Sequence, residues 1–420
     1  MNENSVFHHK LNVPSQFSRM KYRFLLLIFQ LSILGSYGQS IQIRIDSLLR
    51  SYYRKDQPGA VIAITQNQHT IFKKGYGLAD LNTKKSITPN ENFNIGSLTK
   101  QFTAFGVMAL CYYYKEFSLS DPIGKYLQLP ACLASIRISQ LLGHSSGIPD
   151  HYGFTDTGRV KHATDYDVLE ALQKADSLYF PSGTRFRYSN TAYCLLGMLI
   201  EKVTGLTYGE FLQQEIFSPL NMKNTTVFNI HKSIKYRVTG YELLTNGNFK
   251  KSDSEESIFY STEADGGIYL SMNNYMKWCA ALEKWNFPNI PVPFNLWQGQ
   301  TLVDTLRGLR YGNGWFILEP GTGPKIVYHT GFNGGFRTVV LMIPSINYYI
   351  SIFSNRSDID LEDLVSRINQ ILQIPDNSFI KSGPFESFNH SWPKFAPCKE
   401  TSSFSTLSIR NLNAKDMVLN

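Results

Sequence analysis

Ser97 and Lys100 stand three residues apart in Ile95-Gly-Ser97-Leu-Thr-Lys100-Gln-Phe-Thr, directly ahead of the apolar run Ala104 to Tyr114. Downstream, in order, come Tyr188-Ser189-Asn190 and His329-Thr330-Gly331. Together they supply an alcohol nucleophile, two groups able to move its proton, and a polar strand for an acyl substrate. Spacing alone carries little, because Ser-x-x-Lys occurs four times, at Ser18, Ser97, Ser378 and Ser391. Context separates them. Ser18 lies in a polar leader, and Ser378 and Ser391 lie in a tail with Pro384, Pro393 and Pro397. Only Ser97 follows a glycine and opens a stretch that reads as a buried helix. Residues i and i+3 share a helix face, which puts Lys100 beside the Ser97 hydroxyl. The first helical turn adds free N–H groups that stabilise developing negative charge. The plainer reading is an N-capping serine followed by a solvated lysine.

The elements that must position these residues are legible as patterns. Ile41, Ile43, Ile45, Leu48, Leu49 and Tyr52 form a helix-like stripe over residues 40–55. Ala60 to Thr65 and Thr70 to Tyr76 read as an antiparallel hairpin around Gln66-Asn-Gln-His. Residues 120–230 hold helical stretches such as Ala192 to Val203, with Gly205 as a C-cap. Strand-like runs return at Gly267–Leu270, Gly314–Leu318, Lys325–Tyr328, Thr338–Ile343 and Tyr348–Phe353, before a last helix from Leu361 to Leu372. Strands at both ends with helices between predict an α+β fold with a sheet lobe and a helical lobe. A site belongs in the cleft between such lobes.

Composition narrows the function. The net charge of +8 is spread along the chain, and no dense Lys/Arg block interleaves with aromatics, so nucleic acid is not an expected partner. Five cysteines, widely spaced and without a Cys-x-x-Cys pair, indicate neither a zinc site nor a disulfide framework, and most, lying inside apolar runs, read as core residues. With no His-x-His or His-Glu-x-x-His, no metal or other cofactor is expected. Met20-Lys-Tyr-Arg23, the apolar stretch Phe24–Leu34 and Gly35-Ser-Tyr-Gly38 have the make-up of a signal peptide. Residues 1–38 are thus expected to be a leader, with export and a mature start near Gln39. Met20 is then the candidate initiator. The apolar stretch is too short for a stable membrane span. Residues 375–420, rich in Ser, Asn and Pro, are expected to form a loose tail after a single domain at 39–374.

Taken together the motifs are specific. They are Ser97-Leu-Thr-Lys100, Leu141-Leu-Gly-His-Ser-Ser-Gly-Ile148, Pro181-Ser-Gly-Thr-Arg-Phe-Arg-Tyr188-Ser-Asn190, Tyr193 to Gly205, Ala264-Asp-Gly-Gly-Ile-Tyr-Leu270, Tyr311-Gly-Asn-Gly-Trp315 and His329-Thr-Gly-Phe-Asn-Gly-Gly335. On these residues the chain resembles the serine β-lactamase and penicillin-binding-protein superfamily, closest to its class C β-lactamase and D-Ala-D-Ala carboxypeptidase branch. The likeness runs from about residue 40 to 373. It implies a β-lactamase/transpeptidase-like fold, an antiparallel sheet flanked by helices with an all-helical lobe at about 120–230.

The resemblance also implies roles. Ser97 attacks an amide, lactam or ester carbonyl of a small-molecule or peptide substrate, and Lys100 and Tyr188 share the proton traffic. Two nearby cations would lower the Tyr188 pKa from about 10. Backbone N–H groups of Ser97 and Phe332 form the oxyanion hole. Asn190 binds Lys100 or the substrate amide, unless it caps the helix that follows. Thr330 meets a substrate carboxylate, and Gly331 leaves room for substrate along the strand. His329 replaces the lysine usual in the lactamases of this branch. It would hold a carboxylate more weakly and in a pH-dependent way, which favours peptidase or esterase chemistry. Its plainer reading is a locally bonded histidine at a strand start.

Two other readings compete. One is a catalytically weak penicillin-binding or sensor protein with the same cleft. The other makes Ser145, in Gly143-His-Ser145-Ser-Gly147, the nucleophile of an α/β-hydrolase elbow. That elbow needs a strand before it, whereas Ile138–Leu142 reads as helix. Tyr311-Gly-Asn313 repeats the Tyr-x-Asn spacing but reads as the start of a strand.

Overall fold

The computed structural model describes residues 40–151, 162–252, 261–291 and 293–374. The expected leader, its cleavage point and the expected tail therefore lie outside the described residues. Residues 40–52 are helical, as their stripe predicts.

One antiparallel sheet of eight strands organises the rest. Its order is Thr301–Asp304, Leu309–Gly312, Trp315–Leu318, Ile326–Asn333, Phe336–Ile343, Tyr348–Ser354, Ala60–Gln66 and His69–Tyr76. The N-terminal hairpin thus joins the C-terminal strands, with Ala60 opposite Ser354 and Gln66 opposite Tyr348. Every residue of Tyr348–Ser354 is buried, Ser351 and Ser354 included, as suits a mainly apolar run in a central strand. The last helix, Leu361–Leu372, buries Leu361, Leu364, Val365 and Ile368. That spacing is one helical face.

The second layer is helical. Thr99–Tyr113 and Asn190–Thr204 lie side by side at its centre, and both are buried through most of their length. Phe102 stacks on Trp278 of Met272–Lys284 at 4.3 Å. Shorter helices at Ile138–Leu142, Asp165–Leu172 and Tyr208–Leu212 fill the expected helical region. A three-stranded sheet, Asn92–Asn94, Ile268–Ser271 and Thr226–Val227, ties the serine turn to this layer. Among the described residues no helix is long and apolar enough to cross a membrane.

Three local readings need correction. The strand expected to end at Tyr328 continues to Asn333, so His329 lies inside it, opposite Val340. Tyr311 ends a strand rather than starting one. Asn313 and Gly314, at φ +52° and +81°, form the hairpin turn that follows it. Finally, Cys132 is disulfide-bonded, while Cys111, Cys194 and Cys279 are free thiols. Wide cysteine spacing carries no signal for a pairing that tertiary structure creates.

Candidate active site

The nucleophile candidate sits on a turn pinned from three sides. Gly96–Leu98 forms a 3₁₀ turn leading into Thr99–Tyr113. Asn94 Oδ1 accepts the Gly96 N–H at 2.7 Å, Thr338 Oγ1 donates to the Ile95 carbonyl at 2.8 Å, and Ile268 N–H donates to Thr99 Oγ1 at 3.2 Å. Ser97 makes no capping bond to the helix, so the N-cap reading fails. It is the only residue from Glu91 to Lys100 that is not buried. A hydroxyl on a rigid turn, open to solvent, is placed to meet a substrate.

Lys100 is fully buried one turn along. An ammonium has three hydrogens to donate, and here each has an acceptor. They are Ser97 Oγ at 3.0 Å, Asn190 Oδ1 at 2.8 Å and the Asp265 carbonyl at 2.7 Å. The ammonium also lies 4.9 Å from the centre of the Tyr188 ring. Burial lowers the Lys100 pKa to about 8, against the opposing pull of the Asp265 and Asp150 carboxylates. The turn at Gly314 presses on this lysine's backbone. A Cβ there would lie 2.7 Å from the Lys100 carbonyl oxygen, and its φ of +81° suits glycine alone.

Tyr188 closes the group. Its phenol is buried, and the Ser97 side chain is near enough to favour the ionised form. Because Lys100 donates to Ser97 Oγ, the serine's own hydrogen is left to turn toward the substrate or the phenol. The expected drop in the Tyr188 pKa does not occur. Burial raises it well above 10, the nearby Ser97 side chain opposing only in part. The second cation that expectation needed is missing, because His329 is neutral.

Asn190 does not cap its helix. Ser189 does, accepting the Ala192 N–H at 3.2 Å, while the Asn190 N–H goes to Asp150 Oδ2 at 2.7 Å. That frees the Asn190 side chain to hold Lys100, the first of the two partners expected for it.

His329 is placed differently from its expected role. It is fully buried, its Nδ1 lies 2.6 Å from the Thr330 carbonyl and its Nε2 3.2 Å from the Tyr311 hydroxyl. A carbonyl can only accept, so Nδ1 carries the proton and Nε2 accepts from Tyr311. Burial, reinforced by the Lys100 charge, lowers the His329 pKa to about 3. A direct, pH-dependent grip on a substrate carboxylate is therefore corrected to a neutral, locally bonded side chain.

Gly331 also has another reason to be glycine. A Cβ there would lie 2.3 Å from both the Ile95 carbonyl oxygen and Thr338 Oγ1, and 3.1 Å from the Ser97 nitrogen. The residue lets the strand close on the serine turn, rather than making room for substrate. From the other side, a Cβ on Gly96 would lie 2.8 Å from the Phe332 nitrogen. The two nitrogens expected to hold an oxyanion thus flank one narrow seam. The Phe332 ring is exposed beneath the Arg337 guanidinium, and Thr330 is half-buried.

Ser145 belongs to the turn after helix Ile138–Leu142, and its carbonyl accepts the Gly183 N–H at 2.7 Å. No strand leads into it, so the elbow reading fails. His144 and Asp265 stand in motifs legible in the sequence but had no role assigned to them there, and Tyr311, read only as a strand start, is the hydrogen-bond partner of His329. Asp165, Cys194 and Asp265 bring possible metal-ligand atoms within 4.8 Å of one another. Asp165 already accepts the Glu263 and Ala264 N–H groups at 3.0 and 3.2 Å. Burial, with the Asp265 charge, raises its pKa well above the usual range. A carboxyl whose oxygens already accept two backbone N–H groups has little left to offer a cation.

Known proteins share this arrangement of elements. The family model described as Beta-lactamase matches residues 45–372. Protein flp of Staphylococcus aureus (strain MW2) is 27% identical over 342 residues, covering 78% of this chain and 66% of the relative's length. A penicillin binding protein from Bacillus halodurans superposes with a TM-score of 0.69 at 22% identity, covering 78% of this chain and 98% of that one. A D-amino acid amidase from Ochrobactrum anthropi SV3 superposes with a TM-score of 0.65 at 22% identity, covering 80% and 99%.

Proposed function

We propose, for a chain that belongs to the β-lactamase family, an exported serine hydrolase that cleaves an amide, lactam or ester through an acyl-enzyme on Ser97. The observation that carries this reading is the hydrogen bond from the Lys100 ammonium to Ser97 Oγ, with the buried Tyr188 phenol beside that serine. Neutral Lys100 takes the Ser97 proton as Oγ adds to the carbonyl carbon. Its pKa near 8 leaves about one-tenth of it in that form at pH 7, whereas the Tyr188 phenolate is far less accessible. Tyr188 then gives its proton to the leaving nitrogen or oxygen and regains one from Lys100. The N–H groups of Ser97 and Phe332 stabilise the oxyanion at the seam. Water reverses the sequence to release the acid.

The neutral, buried His329 supports substrates with no free carboxylate at this strand, and so favours neutral esters and amides over carboxypeptidase or lactam substrates. The Cys132 disulfide supports export, since disulfides persist in oxidising compartments. A panel of a chromogenic ester, a neutral amide, a cephalosporin and a D-Ala-D-Ala peptide tests the reading, with Ser97→Ala as control. Turnover that survives Ser97→Ala would overturn it. The weak penicillin-binding alternative draws support from the mostly protonated Lys100 at neutral pH. Stoichiometric labelling of Ser97 without turnover would establish that alternative.

A further inference from the structure

Tyr188 sits in a short segment between the turn at Gly183 and the helix Asn190–Thr204, with no regular element to hold its ring. One residue reaches it from both sides. The His144 carbonyl accepts the Arg187 N–H at 2.8 Å, and the His144 Nδ1 accepts the Ser189 N–H at 3.1 Å. Between those bonds the imidazole lies against the Tyr188 ring, centroids 4.2 Å apart. Behind it are Tyr311 at 4.5 Å and Tyr193 at 5.0 Å, so the imidazole has no room to leave.

The conformation of His144 is itself costly. Its φ is +53°, a region that side-chain-bearing residues seldom adopt, and it is fully buried. Burial, together with the Lys100 charge, keeps the imidazole neutral, which preserves Nδ1 as an acceptor. A left-handed backbone with a buried polar ring is tolerated only where the surroundings impose it.

We infer that His144 is a positioning residue for the reaction. Its main-chain carbonyl and its Nδ1 clamp the backbone on either side of Tyr188 and hold the phenol on Ser97. This rests on the proposed proton-transfer role of Tyr188. Misplacing a catalytic group by about 1 Å costs about 100-fold in rate.

The test is a double-mutant cycle in single-turnover acylation of Ser97 by a neutral chromogenic ester. His144→Gly removes the ring while relieving the positive φ, and His144→Asn keeps a side-chain acceptor near the Ser189 N–H. Alone, His144→Gly should slow acylation about 100-fold, and His144→Asn should stay within about 10-fold of the parent. In a Tyr188→Phe background His144→Gly should add almost nothing, because the group it positions is gone. Equal slowing in both backgrounds, or an asparagine variant as slow as the glycine one, overturns the inference. If the glycine variant does not fold, the asparagine variant decides alone. Near-native acylation that Tyr188→Phe still slows supports the clamp, and slow acylation overturns it. Should Tyr188→Phe by itself leave acylation unchanged, the proton-transfer reading of Tyr188 fails instead.

Discussion

Lys100 touches Asp265 through the main chain, donating to its carbonyl oxygen at 2.7 Å, while the carboxylate of the same residue is the strongest charge opposing its neutralisation. One residue therefore both seats the lysine and sets how readily it gives up a proton.

Asp265→Asn keeps the carbonyl and removes the charge. The Lys100 pKa should then fall below its present value of about 8. Acylation, which needs neutral Lys100, rises with pH through that value in the parent and should reach half-maximum at a lower pH in the variant. Single-turnover rates from pH 5 to 9 measure this. A midpoint that stays put would remove Asp265 from the account.

Gly331→Ala forces a Cβ to within 2.3 Å of the Ile95 carbonyl oxygen, so strand and serine turn must part. We expect a loss of about 1–3 kcal/mol in urea unfolding and about 100-fold slower acylation. Full activity with normal stability would mean that the seam is softer than drawn.

Phe332 separates backbone from side chain. Since only its N–H is assigned to the oxyanion, Phe332→Ala should leave kcat/KM within a few-fold of the parent. Phe332→Pro removes the donor and should cost about 100- to 1,000-fold. If the two variants fall together, the ring matters and the N–H does not.

His329 makes a stability prediction. Its folded pKa of about 3 lies below the ordinary value of 6.5, so its contribution is complete above pH 6.5. It is lost as pH falls through that window, amounting to roughly 4 kcal/mol by pH 3. His329→Asn should flatten the fall in urea midpoint between pH 7 and pH 4, though His144, also pushed down by burial, keeps part of it. The acid limb of activity should not change, because His329 does not titrate where Lys100 does. An acid limb that moves with His329→Asn would restore a direct substrate role.

Much of the frame is readable along the chain because its causes are local. The stripe Leu361, Leu364, Val365 and Ile368 specifies its helix, and the run Tyr348–Ser354 a fully buried strand. The strand through His329 runs past its sequence-predicted end because Gly331 and Asn333 are poor strand formers and mask the signal. Pairing with Phe336–Ile343 carries them.

At the site, Ser97 and Lys100 were legible from sequence because three residues of helix bring them to one face whatever surrounds them. Their chemistry was not. The neutral His329, the Lys100 pKa near 8, the high Tyr188 pKa and the hold of His144 on Tyr188 all come from burial and from segments remote in the chain. Proton affinity depends on which charges and how much water stand within a few ångströms, and only the folded chain decides those neighbours.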